Sequence, residues 1–213
     1  MSTRRLPVYL LLDTSGSMRG EPIHSVNVGL RSMLDGLRQD PYALESVHLS
    51  IITFDNEARE YLPLTPLDQV SVPEILVPDA GATFTGAALA LLVHLVDRDV
   101  RKSTLDSKGD WRPLLFLMTD GSPSDLYTYR QVIPLLKARN FGLVVGCAAG
   151  PKAKTAALLE LTDRVVSLDV MDSAAFAGFF KWVSASVAMG STSAGMNGSA
   201  DLPPPPAEIQ LVL

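Results

Sequence analysis

Cysteine is almost absent from this chain, which has one, Cys147, among 213 residues. A single cysteine cannot form an internal disulfide, so the chain is not a small disulfide-stapled domain. Cys147 ends an apolar run over residues 143–147. We interpret it as a small core residue of a protein from a reducing compartment.

Blocks of Lys and Arg are also missing, and the formal net charge is -5. Binding to a phosphate backbone needs a basic face, so we expect no nucleic-acid partner. No apolar run reaches the roughly 18 residues that a membrane span requires. The apolar run after residues 1–5 ends at Asp13, too early for a signal-peptide core with its cleavage site. We therefore expect a cytoplasmic protein that makes no membrane contact.

The histidines lack a metal-binding or catalytic spacing. His24, His48 and His94 are scattered over separate segments, so neither a zinc site nor a triad is indicated. The Gly-containing segment 81–86 lacks the Lys that would make it a phosphate-binding loop. We interpret all three histidines as structural or surface residues.

What the sequence does contain is a regular alternation of apolar runs and amphipathic segments. The continuous apolar run at residues 8–12 predicts a strand covered on both faces. Pro22, followed by apolar residues at 3-4-3-4 spacing up to Leu37, predicts an amphipathic helix. The same alternation predicts strands at 47–54, 114–118, 142–147 and 164–168 and helices at 86–100, 125–139, 153–161 and 173–189. Residues 60–62 allow a short edge strand, and Pro134 predicts a kink or a late helix start. This order predicts an α/β fold with a doubly wound parallel sheet and helices on both faces.

We expect one domain over residues 1–189 and a Ser/Gly/Pro-rich tail over residues 190–213. The tail carries four prolines at 203–206 and an apolar end at 209–213. Two interpretations are open. The tail is a loose segment that cannot bury enough surface to fold alone, or it is a polyproline spacer that presents a short strand to the sheet edge or to a partner.

Oxygen-bearing side chains follow several of the predicted strands. In an open parallel sheet, ligands bind beyond the carboxyl ends of the strands, so these side chains should meet. The candidates are Asp13, Ser15 and Ser17 after the first strand, Asp120 after the strand at 114–118, and Thr83 or Thr85 in the loop at 81–86. An all-oxygen set suits a hard cation, chiefly Mg²⁺, with Mn²⁺ or Ca²⁺ also acceptable.

Only two of these groups are carboxylates, so a bound divalent ion would keep net positive character. It should accept one more anionic oxygen from outside, and this open position is the binding mechanism that we expect. The competing local interpretations are that Ser15 and Ser17 cap the first helix and that Asp125 is a helix N-cap. Asp55 is interpreted as a turn residue.

In the same chain order, Asp13-x-Ser15-x-Ser17, the Thr83 loop and Thr119-Asp120-Gly121 resemble the metal-ion-dependent adhesion site of von Willebrand factor A domains. The resemblance implies a Rossmann-like, mostly parallel sheet with one short antiparallel edge strand. It favours Thr83 over Thr85, which then caps the following helix or supports the site. It also implies a non-enzymatic interaction module in which an Asp or Glu of a partner protein completes the coordination. The implied metal ligands are Asp13, Ser15, Ser17, Thr83 and Asp120.

Residues 11–23 and 119–125 are also similar to the bacterial tellurium-resistance TerY-like A domains. That resemblance implies a stress-response or phosphorylation-signalling role, with a protein kinase or phosphatase as partner. Met18, Tyr127 and Tyr129 border the expected metal site and are candidates for partner contact, although Tyr129 also fits a helical core position.

The sequence allows two other functions. A strand-end Asp with Mg²⁺ also serves phosphoryl transfer, so Asp13 could be the nucleophile of a phosphatase or phosphotransferase. Ser15 argues against this, since haloacid-dehalogenase-type enzymes carry a second Asp there. Alternatively, Glu208 of the tail could dock into the metal site of a neighbouring copy.

Overall fold

The computed structural model describes residues 4–78, 81–151, 153–191 and 202–212. Seven strands form one sheet in the order β3-β2-β1-β4-β5-β6-β7. The strands are β1 (Leu6–Asp13), β2 (Val47–Phe54), β3 (Ala58–Pro66), β4 (Leu114–Thr119), β5 (Leu143–Ala149), β6 (Val165–Leu168) and β7 (Gln210–Val212). The helices are α1 (Glu21–Gln39), α2 (Pro41–Ser46), α3 (Thr85–Asp99), α4 (Leu126–Lys137), α5 (Thr155–Leu161) and α6 (Ser173–Ser191).

The five inner strands are parallel, and an antiparallel strand lies at each edge. β3 pairs with β2 in antiparallel orientation, and β7 does the same with β6. The predicted fold class, a mostly parallel α/β sheet with an antiparallel edge strand, is confirmed. The structure adds two details: β3 is nine residues long rather than three, and β7 provides a second antiparallel edge.

The continuous apolar run of the first strand is explained by burial on both faces. All eight residues of β1 are buried. Leu10 packs in the core cluster with α1, α2 and α6, whereas Leu11 packs in the cluster with α3, α4 and α5. Successive strand residues point to opposite faces, so a strand between two helical layers needs apolar side chains at every position.

Cys147 lies in β5 with no exposed surface, as expected of a core residue. Burial raises the pKa of its thiol, which keeps it protonated and unreactive. Pro134 lies inside α4, which continues through it to Lys137. None of the helices in the described ranges is long and apolar enough to cross a membrane.

The tail residues 202–212 pack against the body of the domain. The indole Nε1 of Trp182 in α6 donates a hydrogen bond of 2.8 Å to the carbonyl of Pro203. Ile209 is buried, and β7 follows it. For these residues the structure matches the interpretation of a spacer that presents a strand to the sheet edge. Residues 192–201 lie outside the described part of the chain, and the boundary at 189/190 stays a prediction.

Candidate metal centre

The strand order places the topological switch point of the sheet between β1 and β4. β1 is followed by β2 on one side, and β4 is followed by β5 on the other, so the loops after β1 and β4 diverge and leave a crevice between them. The pairing of Leu12 with Met118 sets Asp13 beside Thr119 at the mouth of this crevice. The fold thereby brings the two predicted carboxylates, Asp13 and Asp120, to one point.

The Asp13 side chain is fully buried and held in place by two neighbours. Its Oδ1 accepts a hydrogen bond of 2.8 Å from the backbone N–H of Ser15. Its Oδ2 accepts one of 2.6 Å from the Thr119 hydroxyl. The hydroxyl oxygens of Ser15 and Ser17 lie 3.3 Å apart. The first loop therefore presents these three oxygen-bearing side chains as one group, with Ser17 on the solvent side.

Burial dominates the electrostatics of Asp13. Removal from water raises the pKa of its carboxyl from 3.8 to about 6, and the nearby negative charge of Asp120 adds to this rise. The hydrogen bonds from Thr119 and Ser15 act in the opposite direction, because they stabilise the carboxylate. A cation bound here would offset both the cost of burying the Asp13 carboxylate and its repulsion by Asp120.

Thr83 lies between the other two loops. The Gly16 N–H donates to the Gly81 carbonyl at 3.3 Å, which joins the first loop to the Thr83 loop. On the other side, the Ser124 N–H donates to the Thr83 carbonyl at 2.8 Å. A β-carbon at Gly121 would lie 3.2 Å from the Thr83 hydroxyl oxygen, so only a glycine fits without adjustment next to Asp120. All five predicted ligand residues thus meet at the same end of the sheet.

Three buried side-chain polar atoms among the described residues lack a hydrogen-bond partner, and two belong to these loops: Asp120 Oδ1 and Thr85 Oγ1. A buried oxygen without a partner costs free energy, on the order of 1–3 kcal/mol. Asp120 Oδ1 has the chemistry that a hard cation requires, and the Asp120 carboxylate lies close enough to Asp13 to raise the pKa of that side chain. The residues present therefore fit a divalent metal ion.

Histidine and cysteine have no part in this centre. No group of three or more His, Cys, Asp or Glu side chains in the described ranges could hold a metal ion. His24 and His94 are exposed and His48 is half-buried, in agreement with surface or structural roles. The candidate centre depends on hydroxyls in addition to its two carboxylates.

Thr85 and Asp125, beside the centre, do not make the helix-capping bonds that the sequence predicts for them. Thr85 does not cap α3, since its hydroxyl makes no hydrogen bond. Asp125 stands at the N-cap position of α4, as predicted, but its carboxylate makes no bond to that helix. It accepts hydrogen bonds from Gly86 and Ala87 of α3 at 2.9 and 2.8 Å. The local N-cap rule could not identify this, because the bonded groups are 38 and 39 residues apart.

Asp55 is more than a turn residue. It is buried, and its Oδ2 accepts hydrogen bonds from Arg59 at 2.8 Å and from the Thr14 hydroxyl at 3.3 Å. Its backbone carbonyl accepts from the Phe84 N–H at 2.9 Å. Asp55 thus connects β2 to both the Asp13 loop and the Thr83 loop.

Two of the three residues predicted as candidates for partner contact are buried. Met18 and Tyr129 have no exposed surface, and the Tyr129 hydroxyl donates to the Ala157 carbonyl. Both are core residues. The prediction that Met18 contacts a partner is therefore wrong, and of the two interpretations of Tyr129 the core position is confirmed. Tyr127 is 76% exposed on the first turn of α4 and stays a candidate.

The sequence profile of the von Willebrand factor type A domain matches residues 8–172. The chain belongs to the von Willebrand factor type A family. This family consists of metal-dependent protein-interaction modules, and the matched range contains all three loops of the candidate centre. A search of curated protein sequences finds no significant match.

Several solved structures share the fold of this domain at low sequence identity. Proximal thread matrix protein 1 from the mussel byssus, in a structure with a zinc-occupied metal-ion-dependent adhesion site, aligns at TM-score 0.60 and 14% identity, over 85% of this chain and 48% of that one. A von Willebrand factor type A protein from Catenulispora acidiphila gives 0.61 and 16%, over 88% and 43%. The ArnB paralog VWA2 from Sulfolobus acidocaldarius gives 0.61 and 15%, over 87% and 46%. The chain spans less than half of each of these proteins.

Proposed function

We propose that this von Willebrand A domain holds a divalent cation, Mg²⁺ by preference, and through it binds an Asp or Glu side chain of a partner protein. The proposed ligands are Asp13, Ser15, Ser17, Thr83 and Asp120. The observation that carries the proposal is the buried Asp120 Oδ1, which lacks a partner at the point where the three loops meet. Mn²⁺ and Ca²⁺ are alternative occupants.

The proposed ligands are of two kinds, charged and neutral. Asp13 and Asp120 supply the negative charge, and the hydroxyls of Ser15, Ser17 and Thr83 supply neutral oxygens. A bound cation would supply a positively charged centre that attracts an external carboxylate. Ser17 lies on the solvent side and Asp13 is fully buried, so the partner approaches over Ser17 rather than over Asp13.

The first experiment is metal binding by the purified domain, measured by calorimetry with Mn²⁺. Asp13→Ala removes one of only two charged ligands, so we expect affinity to fall by more than about 100-fold, beyond the 10- to 100-fold typical of changes around a ligand. Asp35→Ala is the matched control, because Asp35 is an exposed carboxylate of α1 remote from the loops. Equal affinity of the two variants would refute the proposed site.

The second experiment is affinity capture from the native host, with Mg²⁺ in one arm and a chelator in the other. We expect proteins that are retained by the wild type with Mg²⁺ and lost with chelator or with Asp13→Ala, but kept by Asp35→Ala. Identical capture in all arms would refute metal-bridged binding. Supported by the resemblance to TerY-like domains, we further propose a cytoplasmic signalling or stress-response partner, including a protein kinase or phosphatase.

The phosphatase alternative gains no support from the geometry. A nucleophilic Asp13 would need a carboxylate oxygen open to a phosphoryl group arriving from solvent, whereas this side chain has no exposed surface. Hydrolysis of an aryl phosphate that disappears in Asp13→Ala would reverse this conclusion.

A further inference from the structure

The backbone of the Thr83 loop is held by groups from two other loops. Its N–H groups donate outward, so the position of Thr83 depends on residues distant in sequence. The backbone N–H of Ala82 donates to Asn56 Oδ1, that of Thr83 to Ser124 Oγ, and that of Phe84 to the Asp55 carbonyl. The N–H groups of Gly86 and Ala87 donate to the Asp125 carboxylate.

Asp125 makes two of these connections. Its two carboxylate oxygens each accept one hydrogen bond from the first turn of α3, at 2.9 and 2.8 Å. Backbone N–H groups in the first turn of a helix have no partner within the helix, and a carboxylate there is also favoured by the helix dipole. Asp125 therefore caps α3 from another loop, while making no side-chain hydrogen bond to its own helix.

This cross-cap joins the loops that carry two of the proposed ligands. Asp125 lies five residues after Asp120, and Gly86 lies three residues after Thr83. Ser124 reinforces the link, because it exchanges two hydrogen bonds with the Thr83 backbone, at 2.8 and 3.2 Å. The contact is closely packed, since a β-carbon at Gly86 would lie 2.7 Å from Asp125 Oδ2. The separation of Thr83 from Asp120 is therefore fixed by two short, stiff connections.

We propose that Asp125 is a positioning residue, which sets the distance between Thr83 and Asp120 and thereby the affinity and selectivity of the metal centre. This inference rests on the proposed function. Asp125 does not ligate the ion, since both its oxygens face α3. Mg²⁺ and Mn²⁺ require nearly ideal octahedral geometry, whereas Ca²⁺ tolerates longer and less regular contacts. Loosening the cross-cap should weaken Mn²⁺ binding more than Ca²⁺ binding.

The test is calorimetry of Mn²⁺ and Ca²⁺ binding to Asp125→Asn. The amide nitrogen of Asn cannot accept a hydrogen bond, so one of the two α3 contacts is lost with little change in size. We expect the Mn²⁺ Kd to rise about tenfold, as for other groups that orient metal ligands, and the Ca²⁺ Kd to rise less. The melting temperature of the metal-free protein is measured for every variant, so that unfolding is not mistaken for lost affinity.

Asp40→Asn is the matched control. The Asp40 side chain caps α2 in the ordinary local manner, accepting from the N–H groups of Tyr42 and Ala43, and it lies outside the three loops. Both bonds go to Oδ1, an acceptor that Asn retains, and Asn caps a helix about as well as Asp. This variant should therefore leave the melting temperature close to that of the wild type and both Kd values within about twofold of it.

The outcomes distinguish the positioning role of Asp125 from the existence of the metal site. Loss of Mn²⁺ binding in Asp13→Ala together with wild-type Kd values in Asp125→Asn would overturn the positioning role and leave the metal site standing. Equal weakening by Asp125→Asn and Asp40→Asn, or equal weakening of Mn²⁺ and Ca²⁺, would also overturn it. Unchanged binding in Asp13→Ala would remove the metal site itself. If Asp125→Asn is unfolded at the assay temperature, Ser124→Ala replaces it: the Mn²⁺ Kd should rise about threefold, and an unchanged Kd would overturn the proposal.

Discussion

The burial of Asp13 lowers the stability of the metal-free fold. Its carboxyl has no exposed surface, and burial raises its pKa from 3.8 to about 6. Relative to the unfolded chain, keeping Asp13 ionised at neutral pH therefore costs the metal-free fold roughly 3 kcal/mol, since one pKa unit corresponds to about 1.36 kcal/mol. A domain selected for stability alone would place an apolar residue here, so this cost indicates a binding role.

Stability of the metal-free protein should consequently depend on pH through Asp13. Because the folded pKa lies above the unfolded one, the favourable contribution of protonated Asp13 is present below pH 3.8 and is lost as the pH rises through about 6. Mg²⁺ compensates the ionised carboxylate, so the rise in melting temperature on adding saturating Mg²⁺ should be larger at pH 7.5 than at pH 5. Thermal denaturation in matched buffers measures this.

Asp13→Asn provides the control for that prediction. It keeps the size of the side chain but removes its charge, so metal-free stability at pH 7.5 should exceed that of the wild type and the response to Mg²⁺ should disappear. A wild-type protein whose Mg²⁺ response is equal at the two pH values would contradict the role given to Asp13.

For the individual residues of the centre, the sequence predicted which oxygen-bearing side chains lie together at the end of the sheet. It did not predict the hydrogen bonds that hold them there. Asp13, Ser15 and Asp120 could be found because each lies at the end of a recognisable strand or within two residues of it. The hydrogen bond from Thr119 to Asp13, the contacts of Asp125 with α3 and the bond from Phe84 to Asp55 join segments 29 to 106 residues apart. Local spacing rules contain no information about such pairs, which exist only once the sheet has formed.

The N-terminus of α3 is tightly packed against α4 near the centre. A β-carbon at Gly86 would collide with the backbone nitrogen of Tyr129 in α4 and would press on Asp125. Neither the backbone nor the bonded carboxylate can move away without breaking the cross-cap. Gly86 is therefore required by the close approach of α3 to α4.

Gly86→Ala should destabilise the domain by about 3 kcal/mol, the upper range for overpacking a buried site. Gly36→Ala is the comparison, since Gly36 is an exposed residue of α1 whose added β-carbon would meet no atom closer than 3.4 Å, the hydroxyl of Ser184. Alanine is the better helix former by about 1 kcal/mol, so this variant should be neutral or more stable. Urea denaturation distinguishes them, and equal effects would show that α3 can move away from α4.

The element pattern was predictable where burial is complete and unpredictable at the sheet edges. β1 and β4 are buried at every residue and appear in the sequence as unbroken apolar runs. β3 is mostly half-buried and contains Pro63, so the sequence indicated only a short piece of it. β7 has three residues, two of them exposed, and it forms because β6 offers an unpaired edge rather than because of its own composition.

For the molecule as a whole, residues 202–212 complete the sheet and contribute to its stability. Ile209 is 4% exposed, whereas Leu211, two residues later, is 51% exposed. Ile209→Ala should lower the free energy of unfolding by about 2 kcal/mol, the lower end for a buried Ile. Leu211→Ala should stay within about 0.5 kcal/mol of wild type. Chemical denaturation tests this, and equal values would indicate that the segment is detached in solution.

β7 is synthesised well after β6, the strand that it pairs with. β6 ends at Leu168, whereas its edge partner begins at Gln210. At about 10 residues per second of synthesis, the strand that covers β6 follows it by roughly 4 s, far longer than a hairpin needs to form. During those seconds the growing protein carries an uncovered strand edge, the surface through which nascent chains pair with one another. Susceptibility to misassembly should therefore be greatest during translation and fall when the last strand arrives.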